Sequence, residues 1–131
     1  MSLVLTILAA AAAPAQPASP PEVPAQVQAA KDGEHYVLRA LDGGKPLYTF
    51  DRDEPGKSNC TDRCAAAWPP LAAPAGAKPV GKWTVVARAD GSGQWALDGK
   101  PVYTFVRDTS GTATGDGMGG SWHLLPTTPA K

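Results

Sequence analysis

The chain has 131 residues, with 12 Lys or Arg and 12 Asp or Glu, so its formal net charge is zero. A neutral chain of this length makes one small domain and has no electrostatic basis for non-specific binding to nucleic acid or to an anionic membrane. Only 18% of the residues are charged, and 14 glycines and 14 prolines favour turns over long helices. The composition therefore predicts a mainly β fold.

The N-terminal segment has the pattern of a secretory signal peptide. The apolar run over residues 3–13 has the length of a signal-peptide hydrophobic region and is too short to span a bilayer. Ala13-Pro14-Ala15 then fits an A-x-A cleavage site. We predict a signal peptide over residues 1–15, no transmembrane span, and export to the periplasm or the exterior. A disordered Ala-rich tail is the alternative, because no Lys or Arg precedes the apolar run.

The next segment predicts a tether between the signal peptide and the folded domain. Residues 16–30 contain four prolines, one charge and no aromatic residue, so they bury too little apolar surface to offset the entropy of ordering. We expect a disordered tether there, a folded domain over residues 31–126, and a tail over residues 127–131.

An internal repeat divides the folded domain into two halves. Residues 45–53 match residues 100–108 at a constant offset of 55, with seven of nine residues identical. The halves are expected to cover about residues 35–71 and 83–126.

The matching strands predict that equivalent side chains lie in equivalent places. Identical period-2 patterns bury the same face of each strand, so Tyr48 should superpose on Tyr103 and Phe50 on Phe105. We therefore expect two pseudo-repeats of antiparallel hairpins.

Each half is predicted to begin with a hairpin. Residues 95–97 and 102–105 flank Asp98-Gly99, a pair that favours a two-residue type I′ turn. Residues 35–41 and 47–50 are expected to form the same hairpin with a loop one residue longer. Further strands are predicted over residues 82–88 and 122–125.

These features resemble a family of bacterial secreted repeats, grouped as predicted lipoproteins with a Y-x-(F/W/Y)-x-x-D motif. Residues 48–53 and 103–108 both satisfy that motif. Other landmarks of the resemblance are Cys60, Cys64, Trp68-Pro69-Pro70, Asp90-Gly91, Gln94-Trp95 and Gly120-Ser121-Trp122-His123. The resemblance implies a secreted or cell-envelope domain of two repeats with no assigned biochemical role. The chain departs from it by lacking a lipobox cysteine near the cleavage site.

The two cysteines have three possible roles. Cys60 and Cys64 lie in a predicted short helix, capped by Ser58 or Asn59. Residues four apart on a helix are about 6 Å apart at Cα, and an oxidising compartment favours a disulfide between them. A thiol-redox pair is one alternative.

A Cu(I) site is the other alternative for the cysteines. Two thiolates joined by His123, His35 or Met118 would suit this soft metal. The disulfide remains the main prediction, and with it no cofactor is expected.

The aspartates that end the motif predict turns. Asp53 and Asp108 are each followed three residues later by a glycine, as in a type I turn, and their side chains should accept backbone N–H groups. In the first half Pro55 disfavours type I, so residues 54–57 favour a type II turn instead. The alternative interpretation takes Asp51, Asp53 and Asp108 as a carboxylate pair for glycoside hydrolysis, or as part of a calcium site with Asp116.

These patterns predict a class of function and no specific ligand. There is no G-x-S-x-G motif or other catalytic signature, so we expect no enzyme. The four tryptophans, Trp68, Trp83, Trp95 and Trp122, should be mostly core, unless several lie together as an exposed platform for sugars or peptides. The main hypothesis is an exported, monomeric binding or structural module for an unknown envelope ligand or protein. The alternatives are a periplasmic Cu(I) or thiol-redox protein and, last, a carbohydrate-active enzyme.

Overall fold

The computed structural model describes residues 20–129. The predicted signal peptide, residues 16–19 and the last two residues lie outside the described part. Within it, the chain forms nine strands and one short α-helix, and every strand pair is antiparallel. The elements are β1 (Val27–Asp32), β2 (His35–Ala40), β3 (Tyr48–Phe50), α1 (Arg63–Ala67), β4 (Ala72–Ala73), β5 (Trp83–Ala87), β6 (Gly93–Leu97), β7 (Lys100–Tyr103), β8 (Trp122–Leu124) and β9 (Thr128–Pro129). The mainly β prediction with one short helix near the cysteines is confirmed.

The strands form a small sheet and a large sheet. The small sheet has the order β1-β2-β9. The large sheet has the order β4-β6-β7-β3-β8, and β5 also pairs with β6 along its whole length. The strand β3 of the first half therefore lies between β7 and β8 of the second half, so the halves are interleaved.

The register of the large sheet brings the motif strands of the two halves side by side. Tyr48 lies directly opposite Tyr103 in the β3–β7 pair, and Phe50 lies opposite Trp122 in the β3–β8 pair. The turns that follow are also equivalent, because the Asp53 N–H bonds the Phe50 carbonyl just as the Asp108 N–H bonds the Phe105 carbonyl, each at 3.0 Å.

The hairpin predicted for the second half is present. The hairpin predicted for the first half is largely replaced by pairing between β1 and β2. Strands β6 and β7 are joined by Asp98-Gly99 with φ of 53° and 80°, as a type I′ turn requires. In the first half, β2 pairs along its whole length with β1 and touches the next segment only at one bridge, Arg39 to Pro46. Proline has no N–H to continue that ladder.

The folded domain extends beyond both ends of the predicted range, residues 31–126. Val27, inside the predicted tether, is 4% exposed and begins β1, and β9 lies inside the predicted tail. The prediction of a tether over residues 27–30 was wrong because main-chain pairing to β2 orders a segment whose own composition buries little. Val23, before β1, also packs against the core.

The core consists of two clusters that share out the tryptophans. One cluster holds Trp83 and Trp95, between the small sheet and β5–β7. The other holds Trp68 and Trp122 with the motif tyrosines and Cys60. All four tryptophans are buried, which confirms the core role and leaves no exposed tryptophan platform.

Candidate functional site

The motif tyrosines and aspartates bond across the two halves. The Tyr48 hydroxyl donates to Asp108 Oδ2 at 2.5 Å, and the Tyr103 hydroxyl donates to Asp53 Oδ2 at 2.6 Å. Each half thus supplies the tyrosine of one pair and the aspartate of the other. We call the Tyr48–Asp108 pair the sealed lock, because both residues are buried. We call the Tyr103–Asp53 pair the open lock, because Asp53 is only half-buried.

Each aspartate also accepts a backbone N–H from the loop beyond its turn. Asp53 Oδ1 accepts from Asn59 N at 2.7 Å, and Asp108 Oδ1 accepts from Thr114 N at 2.8 Å. The predicted backbone bond is therefore present. The predicted type I turn starting at the aspartate was wrong, because the glycine turn begins one residue later, at Glu54 in the first half.

That later turn agrees with the alternative considered for the first half. The Lys57 N–H bonds the Glu54 carbonyl at 2.9 Å, and Gly56 has φ of 72°, which position i+2 of a type II turn requires. The second half repeats the arrangement with Gly111 at φ of 85°.

Between the locks lies a continuous column of four rings, which we call the aromatic stack. Its order is Phe105, Trp68, Trp122 and Phe50. The two central indoles are 3.8 Å apart at their centroids and 3° from parallel. Tyr48 meets Trp68 edge-on at 5.1 Å, and Tyr103 meets Trp122 edge-on at 5.2 Å, so both locks abut the stack.

The open lock has polar neighbours that the sealed lock lacks. Ser58 Oγ lies 2.6 Å from the Tyr103 hydroxyl and accepts from Arg88 Nη1 at 3.1 Å. Arg88 also donates to the buried Gln94 Oε1 and to the Cys60 carbonyl, both at 2.7 Å. Asp53 itself is half-buried.

The sealed lock is closed from solvent. Asp108 is 2% exposed, and its Oδ1 accepts a second bond from Thr114 Oγ1 at 2.6 Å. The Gly115 N–H donates to the Tyr48 hydroxyl at 3.3 Å.

Burial raises the pKa of both motif tyrosines. Desolvation, followed by the bond to Asp53, raises the pKa of Tyr103 to about 12. Desolvation and the bond to Asp108 likewise raise the pKa of Tyr48. Burial also raises the pKa of Asp53, although its hydrogen bonds and Arg88 act in the opposite direction. Both phenols therefore keep their protons at neutral pH.

The cysteines form the predicted disulfide. Cys60 and Cys64 are bonded, with Cys60 fully buried against the aromatic cluster. The predicted helix cap was wrong, because α1 begins only at Arg63, and Asp62 precedes it without a side-chain cap bond. Ser58 and Asn59 instead bond within the open lock and its loop.

The Cu(I) ligand set is not assembled. Both sulfurs are in the disulfide, His123 Nε2 lies 2.7 Å from Asp51 Oδ2, and Met118 is 39% exposed in a short 3₁₀ turn. His35 lies at the exposed start of β2 in the small sheet. Between residues 20 and 129, no three His, Cys, Asp or Glu side chains group closely enough to hold a metal ion.

The aspartates proposed as a catalytic or calcium set have separate local partners. Asp51 pairs with His123 in the open, while Asp53 and Asp108 belong to different locks. Asp116 accepts the Leu124 N–H at 3.1 Å. Each of these four carboxylates therefore has its own partner within the chain, and they do not act as one set.

A cleft lies beside the end of β2 and the start of β4, with lining residues from both sheets, and we call it the sheet-junction groove. It has a volume of about 550 Å³. Leu41, 59% exposed, stands at its side, and Pro69, Pro70 and Leu71 supply apolar lining. Its polar lining comes from Gln26, Asp42, Lys45 and Thr104.

Sequence reasoning missed Ser58, Arg88 and Gln94 as neighbours of the motif. No local pattern brings them together, because Arg88 follows β5 and Ser58 precedes α1. The loop N–H groups that donate to the two aspartates had a detectable signal, since Asn59 and Thr114 are also separated by the repeat offset of 55.

Comparison with known proteins agrees with the duplicated architecture. A family model described as a secreted repeat of unknown function matches residues 27–72 and again residues 84–125. Searches of curated proteins and of solved structures returned no match. Over residues 20–129, no helix has the length and apolar character needed to cross a membrane. With two matches that together span more than half of its residues, the chain belongs to this family of secreted repeats.

Proposed function

We propose that the protein is an exported module, periplasmic or extracellular, that binds a cell-envelope component in the sheet-junction groove. The observation that carries the proposal is the exposed Leu41 beside this groove of about 550 Å³. Large apolar side chains that stand exposed at a cleft are typical of binding surfaces.

Restricted backbones and hydrogen bonds hold the lining of the groove in place. Pro69 and Pro70 have restricted backbones, and the Leu71 N–H is bonded to the Val102 carbonyl at 2.9 Å. Gln26, which also lines the groove, accepts through Oε1 from Trp95 Nε1 at 2.9 Å. A preformed apolar groove with one acid and one base on its lining favours a neutral or zwitterionic chain, such as a peptide or a cross-linked wall polymer.

The same proposal treats the protein as a monomer. Both locks and the aromatic stack find their partners inside one chain, so the motif residues need no second copy. The family's motif is then the scaffold of the module, and the groove is its working surface.

Co-sedimentation with purified peptidoglycan tests the proposal. Wild-type protein should pellet with the insoluble polymer, and Leu41→Asp should lose most of that binding because it places a charge beside the apolar lining. Val106→Asp is the matched control, since Val106 is 47% exposed and does not line the groove. Equal binding by the two variants, or no binding by the wild type, would contradict the proposal.

A further inference from the structure

A small cavity beside the open lock is lined by bases and hydroxyl groups, and we call it the basic pocket. It has a volume of about 210 Å³. Its lining consists of two basic residues, two hydroxyl residues and two alanines: Lys57, Arg88, Ser58, Thr61, Ala87 and Ala89. Within residues 20–129, no Asp or Glu contributes to this lining.

We propose that the basic pocket binds a phosphate group through Arg88 and Lys57. The proposal is independent of the sheet-junction groove, because the two cavities share no lining residue. It assigns a role to polar neighbours of the open lock that the binding function leaves unused.

Neutral acceptors hold Arg88 in one orientation. Its Nη1 donates to Ser58 Oγ at 3.1 Å and to Gln94 Oε1 at 2.7 Å, and its Nη2 donates to the Cys60 carbonyl at 2.7 Å. Gln94 is itself fully buried and donates to the Val102 carbonyl at 2.8 Å, while Cys60 is held by its disulfide. A guanidinium anchored in this way loses little conformational freedom when it binds an anion.

The positive charge of Arg88 has no ion-pair partner within the described chain. Three of the five N–H groups of this guanidinium bond neutral acceptors, so two remain for a ligand. Arg88 is also half-buried. A partly buried cation without a counter-ion is costly in free energy, and a bound anion offsets part of that cost.

The acids that lie in the field of Arg88 are bonded to other donors. Asp53 accepts the Tyr103 hydroxyl at 2.6 Å. Asp90 accepts the N–H and the hydroxyl of Ser92, at 2.9 Å and 2.5 Å. The two remaining N–H groups of Arg88 therefore stay available to an anion from solution.

Lys57 and Thr61 add donors from two further side chains. Lys57 Nζ lies 3.6 Å from Glu54 in a well-exposed pair, which contributes little, so the ammonium can turn to a ligand. Thr61 supplies an exposed hydroxyl group. A planar carboxylate is satisfied by one guanidinium, whereas donors from three side chains match the several oxygens of a phosphate group.

The second half of the repeat lacks two of the lining residues. At the offset of 55, Lys57 corresponds to Thr112 and Ser58 corresponds to Ala113. The phenol–carboxylate bond is nevertheless present in both halves. A lock therefore forms without these two residues, which favours a separate binding role for them.

Titration of the disulfide-bonded protein with inorganic phosphate, followed by ¹H–¹⁵N NMR, tests the proposal. The amide signals of Ser58 and Thr61 should shift along a saturable curve. Arg88→Gln should weaken binding more than about tenfold, because hydrogen bonds to a charged group are lost. Arg39→Gln is the matched control, since it removes the same charge from β2, outside the pocket. No saturable shift in the wild type, or equal weakening in the two variants, would overturn the proposal.

A second variant decides if Arg88→Gln fails to fold by circular dichroism. Thr61→Asp places a carboxylate in the pocket at an exposed position, so it should compete for Arg88 and abolish phosphate binding. Thr84→Asp, at an exposed position of β5 outside the pocket, is its control. Wild-type phosphate affinity in Thr61→Asp would overturn the proposal, while Leu41→Asp, which tests the groove, should leave that affinity unaltered.

Co-sedimentation with phosphatidylglycerol vesicles distinguishes the two sources of a phosphate group. Saturable binding of inorganic phosphate, together with sedimentation that Arg88→Gln abolishes, would support a lipid headgroup. Saturable binding of inorganic phosphate without sedimentation would support a soluble phosphate compound.

Discussion

The sealed and open locks contain the same phenol–carboxylate bond in different surroundings. Asp108 is enclosed and served by Thr114, whereas Asp53 is half-buried and lies in the field of Arg88. The repeat therefore preserves the bond and varies what surrounds it. The comparison teaches that duplicated motif residues hold the halves together, while the substituted neighbours give one lock access to solvent.

Two positions at the repeat offset account for much of this difference. Ser58, beside the open lock, corresponds to Ala113, and Cys60 corresponds to Gly115. A Cβ on Gly115 would lie 2.4 Å from Trp68 Cη2, so glycine lets the loop close over the sealed lock. In the first half, the same position carries a disulfide to α1.

The largest expected effect comes from removing the sealed carboxylate. Asp108→Ala leaves the Tyr48 hydroxyl and the Thr114 N–H without their acceptor in a closed site, so we expect a loss of about 3 kcal/mol in unfolding free energy. Asp53→Ala should lose about 1 kcal/mol, because water can reach the freed groups. Urea unfolding measures both. The exposed Asp51→Ala is the control, and equal losses at Asp53 and Asp108 would remove the distinction between the locks.

Closing the sealed lock should depend on glycine at position 115. Gly115→Ala places a methyl group against Trp68 and should cost about 2 kcal/mol by overpacking. A double variant with Trp68→Phe, which lacks the contacting atom, should lose less than the sum of the two single variants. Strict additivity in urea unfolding would show that the two residues do not compete for space.

Alkaline pH should weaken the fold through the tyrosines. An unfolded tyrosine ionises near pH 10, whereas burial and Asp53 raise the pKa of Tyr103 to about 12. Between these values the unfolded state binds fewer protons, so unfolding free energy falls as pH rises. Urea unfolding across this window, with tyrosinate absorbance, should show a shallower fall for Tyr103→Phe. The same slope as wild type would contradict the raised pKa.

The smallest effect should come from making the open lock more like the sealed one. Ser58→Ala removes one acceptor of Arg88 and should cost about 1 kcal/mol. It should also raise the pKa of Tyr103 further, because the Ser58 bond lowers that pKa. Ser121→Ala serves as the control. A downward movement of the Tyr103 titration would contradict the assigned role of Ser58.

Several parts of this fold follow from local patterns that act over short distances. The Asp98-Gly99 hairpin needs only two residues that tolerate positive φ, and it was predicted correctly. The Cys60–Cys64 disulfide joins residues already close along the chain. Strand β1 was missed because its order comes from pairing with β2, which composition does not reveal.

By itself, the sequence determined that the protein has two equivalent halves, with Tyr48 and Tyr103 in equivalent strands, because a repeated pattern buries the same face each time. Only the tertiary structure decided which aspartate each tyrosine binds. The repeat is equally compatible with bonds inside each half and with bonds between halves. The exchange follows from the antiparallel pairing of β3 with β7, which sets the two tyrosines opposite each other and directs each hydroxyl to the other half's aspartate.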